Sequence, residues 1–227
     1  MHDHDAVSNA GNAHGMQSGP SPVSVQGEQT TPGVGAIPSN DPVYALHIGL
    51  AEQGKLYALR KDYRLALYYY RKAMQMTVEH KHPEIFFRHY LECLIEALEQ
   101  QRWFDDVVNY CNRALDLYAK NPPQDALGQR DVAHIYQRLG VIRLKQGNVD
   151  AARTALRKGI EIIKGAGQTM ALAQTLLRWL DQGIHVDERR VNAEQERNKY
   201  YSVRKDTICE ARALRLPDEI VKQECPL

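Results

Sequence analysis

The sequence predicts an all-α fold in which three helical hairpins stack into an array. Two observations carry this. In the stretch from Gly54 to Met76, small and bulky residues alternate at helical spacing on either side of a short break at Lys61-Asp62. The same internal offsets then recur twice further along the chain. Two antiparallel helices can approach closely only where one presents Gly or Ala at the crossing, with rings filling the gaps on either side. Gly54 and Ala66 are the small contacts of the first copy, and Tyr57 and Tyr70 the fillers, with Ala73 continuing the stripe. A hairpin of this kind cannot bury its apolar face alone, so it needs neighbours.

The elements follow in order. Residues 1–40 carry Gly, Ser, Pro, Asn and Gln with few large apolar side chains, a composition that does not offset the entropy of ordering and is expected to stay disordered. His2, His4 and His14 in it are not expected to hold a metal. Asp41-Pro42 opens the first helix, Asp as cap and Pro in the first turn, where its missing N–H has no partner to lose. That helix is expected to run to about Arg60 and the second from Asp62 to Glu79. His82-Pro83 marks a fresh start, with helices from about Pro83 to Gln101 and from Trp103 to Ala119. Asn121-Pro122-Pro123 breaks the chain again, which restarts near Gln124, reaches about Gln146, turns at Gly147-Asn148 and continues from Val149 to Lys164. A seventh helix, with Met170, Ala173, Leu176, Leu177 and Leu180 on one face, covers the last apolar surface as a cap.

The third copy places Gly140 and Ala152 twelve residues apart, as are Gly54 and Ala66, with Tyr136, Leu139, Leu156 and Gly159 around them. The middle copy is degenerate: Ile95 and Val107 replace the small residues, so its helices are expected to sit further apart. The steps from Gly54 to Ile95 and from Ile95 to Gly140 are 41 and 45 residues. The run YQRLG at 136–140 and the A-x3-Y-x2-A pattern at 66–73 resemble the tetratricopeptide repeat family over roughly residues 42–182, in its long-helix form because the period exceeds 34. The resemblance implies a right-handed superhelical array: hairpins at about 42–80, 83–120 and 124–164, with a capping helix at 168–182. The array would occupy 41–182, followed at 183–227 by a charged helical extension.

In that extension ten of the nineteen residues from Asp187 to Lys205 are charged, and the apolar positions keep only a loose period. A long solvated helix ending before Pro217 is expected, either docked along the array or paired with another copy.

The bulk numbers exclude several classes. A net charge of +1 with 25% charged residues gives no general pull toward nucleic acid or an anionic membrane. No apolar run is long enough to span a bilayer, and no basic segment followed by an apolar core marks a secretory signal. The four cysteines show no C-x-x-C pairing, which fits a reducing cytoplasm. P-loop, dinucleotide-binding, H-E-x-x-H and nucleophile-elbow patterns are absent, so no enzymatic activity, cofactor or metal is expected. His80 and His82 have a spacing that metals sometimes use, but a polar turn with a His at the helix C-terminus is the expected reading.

What the resemblance implies is a partner segment held in a groove lined by the first helix of each hairpin. Its set here is Glu52, Lys55 and Leu59, then His89, Glu92, Glu96 and Glu99, then His134, Arg138, Val141 and Lys145. Glu92, Glu96 and Glu99 share one helix face, which fits either a basic partner or a solvated surface. Arg138 and Lys145 lie two turns apart, so the groove would grade from acidic to basic and fix a partner's orientation. A family subclass clamps chaperone tails with Asn, Lys and Arg. Arg138 matches that clamp, but Lys55 and Cys93 stand at its Asn positions and His134 at its Lys, so chaperone-tail recognition is not expected. Of the consecutive Tyr68, Tyr69 and Tyr70, the last is structural by its offset, and Tyr68 or Tyr69 is expected on the outer face. The functional expectation is an adaptor or scaffold that binds another protein, with self-association through the C-terminal helix open. The alternatives are a client-specific secretion or assembly chaperone and a peptide-sensing regulator.

Overall fold

The computed structural model describes residues 41–225, so the expectations for residues 1–40 lie outside the described part. Regular structure among the described residues is entirely helical. The helices are α1 (Pro42–Leu59), α2 (Tyr63–Glu79), α3 (Glu84–Gln100), α4 (Phe104–Lys120), α5 (Ala126–Lys145), α6 (Val149–Gly165), α7 (Ala171–Asp181), α8 (Glu188–Arg197) and α9 (Asp218–Glu224). Single 3₁₀ turns lie at Lys205–Thr207 and Glu210–Arg212.

Short polar residues start most of the long helices. Asp41, Asp62, Asp125, Asn148 and Asp187 each accept a main-chain N–H from the first turn, at 2.7–3.2 Å, which satisfies donors that have no partner within the helix. The three hairpin turns are built alike. At each, the residue after the C-cap has a positive φ: 64° at Lys61, 62° at Arg102 and 77° at Gly147. The next N–H then bonds back five residues, Asp62 to Tyr57, Trp103 to Leu98 and Asn148 to Arg143, at 2.8–3.0 Å. This is the Schellman closure of a helix end, repeated at steps of 41 and 45 residues.

Close approach is set where the glycines sit. A Cβ on Gly54 would lie 2.7 Å from the Tyr70 ring, and one on Gly140 would lie 2.6 Å from Leu156. Tyr70 and Leu156 are fully buried, so neither can yield. With Ile95 and Val107 at the crossing instead, α3 and α4 are the most loosely packed of the three pairs. The first two hairpins share a core of Ala66, Tyr70, Leu94, Leu98 and Val107, and α5, α6 and α7 share a second with Ile163, Leu172 and Leu176. Cys93 and Cys111 are buried as unpaired thiols, and burial pushes the Cys111 thiol up to about 11.

The C-terminal extension departs from expectation. Only Glu188–Arg197 is α-helical where one long helix is expected; the helix closes at Asn198 and Lys199, whose φ is 50°, and beyond it only the two 3₁₀ turns interrupt the path to Pro217. The chain then runs largely extended from Tyr200 to Pro217 back across the array, and α9 lies against the first hairpin. The loose apolar period is the reason: Tyr200, Tyr201 and Val203 serve an extended path and not one helix face.

Candidate binding face on α1, α3 and α5

The returning segment crosses α5, α3, α1 and α2 in that order. Glu99 of α3 is the hub of the first crossing. Its carboxylate accepts from the Lys145 ammonium of α5 at 2.7 Å, from the Gln195 amide of α8 at 2.8 Å and from the Tyr201 hydroxyl at 3.0 Å, with the Tyr200 hydroxyl at 3.4 Å. One turn earlier, Glu96 accepts two successive main-chain N–H groups, Ser202 at 2.6 Å and Val203 at 3.0 Å. Burial pushes the Glu96 carboxyl up, while Arg138 and these two N–H groups pull it back down. The Arg138 guanidinium reaches Glu92 at 2.6 Å and sits 5.5 Å from the centre of the Tyr200 ring, a cation–π pairing in a dry setting. Burial and then the Glu99 carboxylate raise the Tyr201 phenol, which keeps it a hydrogen-bond donor.

The second crossing is on α1. Glu52 is held by Lys55 at 2.8 Å and accepts the Cys209 N–H at 2.8 Å. The Gly49 carbonyl accepts the Leu214 N–H at 2.9 Å. A Cβ on Gly49 would lie 2.8 Å from Leu214 Cβ and 2.9 Å from the Arg212 carbonyl oxygen, so this glycine makes room for the segment. On α2, the Tyr69 hydroxyl accepts the Leu216 N–H at 2.9 Å, and the Tyr68 hydroxyl donates to Glu224 at 2.9 Å. Leu216, Val221 and Cys225 pack over Leu50, Tyr68 and Tyr69. An outward-facing Tyr68 or Tyr69 is therefore corrected: both are buried, because the end of the chain covers them.

The structure divides the predicted groove residues into three groups. Glu52, Lys55, Glu96, Glu99, Arg138 and Lys145 are brought together beneath the returning segment and are buried. Val141 is fully buried in the core around α5, α6 and α7. Leu59, His89, Glu92 and His134 remain exposed. Neither reading of the glutamate stripe describes Glu96 and Glu99, which are neither solvated nor open to a basic partner; their cations and donors come from the same chain. Sequence reasoning missed Gln195, Tyr200, Tyr201, Ser202 and Val203. The available signal was Gln195 four residues after Val191 in an otherwise charged helix, followed by two adjacent tyrosines.

Around the first hairpin, His47 is fully buried, its Nδ1 2.8 Å from the Tyr90 hydroxyl, and its ring packs 4.7 Å from that of His82. His82 in turn bonds Asp41 at 3.0 Å. Among the described residues no group of three or more His, Cys, Asp or Glu side chains is placed to hold a metal ion, and no helix is long and apolar enough to cross a membrane. Chemically, Glu96, which accepts two main-chain N–H groups, and Glu99, which accepts an ammonium, an amide and phenols, beside a guanidinium under a phenol ring, form the seat of the returning segment. Comparison with protein-family models, curated proteins and solved structures returned no match.

Proposed function

We propose that this protein is a non-enzymatic adaptor or scaffold whose tetratricopeptide-type array, with a right-handed superhelical groove, holds a segment of another protein. One observation carries the reading: the face formed by α1, α3 and α5 already seats a stretch of the chain's own polypeptide from Tyr200 to Leu214, extended between two 3₁₀ turns and held in part through main-chain N–H groups. Main-chain donors supply much of its attachment, as in receptors that read peptides in extended form. A strip of the same helices stays open beside it. On α3, Ile85, His89 and Glu92 recur at one-turn and two-turn spacing and are exposed; on α5, Leu127 and His134 do the same. The reading carries a cytoplasmic setting, with unpaired thiols at Cys93 and Cys111.

The test is photo-cross-linking in the native cell, with the reactive residue placed at His89 or His134 on the face, or at Glu161 on the exposed side of α6. The reading expects one protein captured from the two face positions and not from position 161. Capture of the same proteins from all three, or of none, overturns it.

A further inference from the structure

We infer that the groove along α5 and α6 is a second docking site, and that its occupant is a short acidic amphipathic helix of a partner protein, with large apolar side chains one turn apart. The groove has a volume of about 760 Å³ and a floor of Tyr136 and Leu139 from α5 and Ala151 and Ala155 from α6. Arg143, Arg153, Arg157 and Lys158 rim it. By helical spacing, Tyr136, Leu139 and Arg143 lie on a different side of α5 from Arg138 and Lys145. The inference therefore stands apart from the adaptor reading above.

The chain's own repeat describes the occupant. Gly54 to Gly140 and Ala66 to Ala152 are both steps of 86 residues. The same step carries Tyr136, Thr154, Ala155 and Lys158 back to Leu50, Tyr68, Tyr69 and Lys72. That is the flank of the first hairpin which the end of the chain covers. Leu216, Val221 and Cys225 pack on it, and Glu224 of α9 pairs with Lys72 and accepts the Tyr68 hydroxyl at 2.9 Å. The second hairpin has α2 packed against its first helix. On the third, α4 covers α5 less fully than α2 covers α3, and the described residues that line the groove all belong to α5 and α6. Both of the other flanks are covered by a helix, so a helix is what this one takes.

Size and charge at the groove complete the description. Leu65, Tyr68 and Tyr69 of the first flank are Ala151, Thr154 and Ala155 here, so the occupant supplies the bulk that this flank lacks. Apolar residues four apart, as Val221 and Cys225 are, place that bulk on one face of a helix. Lys158 stands where Lys72 holds Glu224. Its own partner is the exposed Glu161 at 3.2 Å, and a pair of that kind costs little to break. Asp181 serves both Arg153 and Arg157, and Arg143 bonds only the neutral Gln146 amide. The rim thus has cationic capacity for an incoming carboxylate.

The experiment uses the full chain and a labelled synthetic peptide of residues 215–225 carrying Val221→Leu and Cys225→Phe, read by fluorescence anisotropy and by mass in solution. Saturable binding below about 1 mM, one peptide per chain, is expected. Thr154→Tyr, which sets the first hairpin's ring in the groove, should weaken it about tenfold, and so should Lys158→Glu in the protein or Glu224→Lys in the peptide. Thr154 and Lys158 are exposed, so an unchanged melting temperature shows that the variants fold, and the peptide variant leaves the protein untouched. Lys72→Glu should leave binding as it is. Loss with Lys72→Glu and not with Lys158→Glu means that the peptide replaces the chain's own end, and overturns the proposal. Absence of saturable binding, or binding that neither Thr154→Tyr nor Lys158→Glu weakens, also overturns it. So does a dimer of the chain alone that Thr154→Tyr dissolves, since the occupant is then α9 of a second copy. Glu161 lines the groove, so cross-linking from it should capture a protein other than the one taken from His89 and His134. Capture of one protein from all three positions overturns the adaptor reading and leaves the peptide result standing.

Discussion

The Lys145 ammonium lies 2.7 Å from the Glu99 carboxylate with both side chains shut away from water: 4% of the lysine side chain is exposed and none of the glutamate. Lys145 belongs to α5 and Glu99 to α3, so this one pair ties the second hairpin to the third beneath the returning chain. Removing one member leaves the other charge enclosed and uncompensated. Lys145→Met is expected to cost about 3–5 kcal/mol in denaturant unfolding, with Glu99 left to its neutral donors. A loss below about 1 kcal/mol, the range of exposed pairs, would show that solvent reaches Glu99.

Acid should loosen the first hairpin from the second. Burial, and then the neighbouring His82, lower His47 from 6.5 to about 4, while Asp41 pulls the other way. The unfolded chain therefore binds the proton first. Stability from this group is fully present above about pH 6.5 and is lost as pH falls toward 4, a loss on the order of 2–3 kcal/mol. Partial desolvation by the surrounding helices lowers the solvent-accessible His89 and His134 as well, in the same direction, whereas the raised Glu96 opposes them. Chemical denaturation between pH 7.5 and 4.5 checks this; His47→Gln should flatten the slope, and an unchanged slope would place the titration elsewhere.

Gly49→Ala offers a lever on the segment alone. The added methyl meets Leu214 and the Arg212 carbonyl and leaves the hairpin cores untouched. Limited proteolysis between Lys205 and Leu216 should become at least tenfold faster, while melting temperature changes little because Ala favours the helix by about 0.5–1 kcal/mol. Unchanged proteolysis would show that α1 does not hold the segment.

Lys61 holds a φ of 64° at the first hairpin turn, where the third hairpin uses Gly147. Lys61→Gly should relieve about 1 kcal/mol of backbone strain and raise the melting temperature by a few degrees. A fall would mean that the lysine stem contributes more than its backbone costs.

The hairpins were legible because their signals are side-chain signals. Gly54 against Tyr70, Gly140 against Leu156, and the breaks at Lys61, Arg102 and Gly147 all appear as residue types at fixed offsets. That Glu92, Glu96 and Glu99 share a helix face also follows from spacing alone. What covers two of them does not. Ser202, Val203, Cys209, Leu214 and Leu216 attach through main-chain N–H groups, which nearly every residue possesses and no pattern reveals. High charge from Asp187 to Lys205 suggested a solvated helix, yet Gln195 within it is fully buried, because its amide satisfies Glu99 ninety-six residues earlier.

The covering of Tyr68 and Tyr69 by Leu216, Val221 and Cys225 has a consequence for how the molecule is made. The first hairpin leaves the ribosome with one apolar flank bare, and its cover is encoded 147 residues after Tyr69. At a synthesis rate of about 5–20 residues per second, that flank waits roughly 7–30 s for its cover. The nascent chain thus passes through a stage in which its earliest-folded part is its most adhesive. Shielding by a ribosome-associated chaperone matters most over that interval, and pauses in translation downstream of α7 lengthen it.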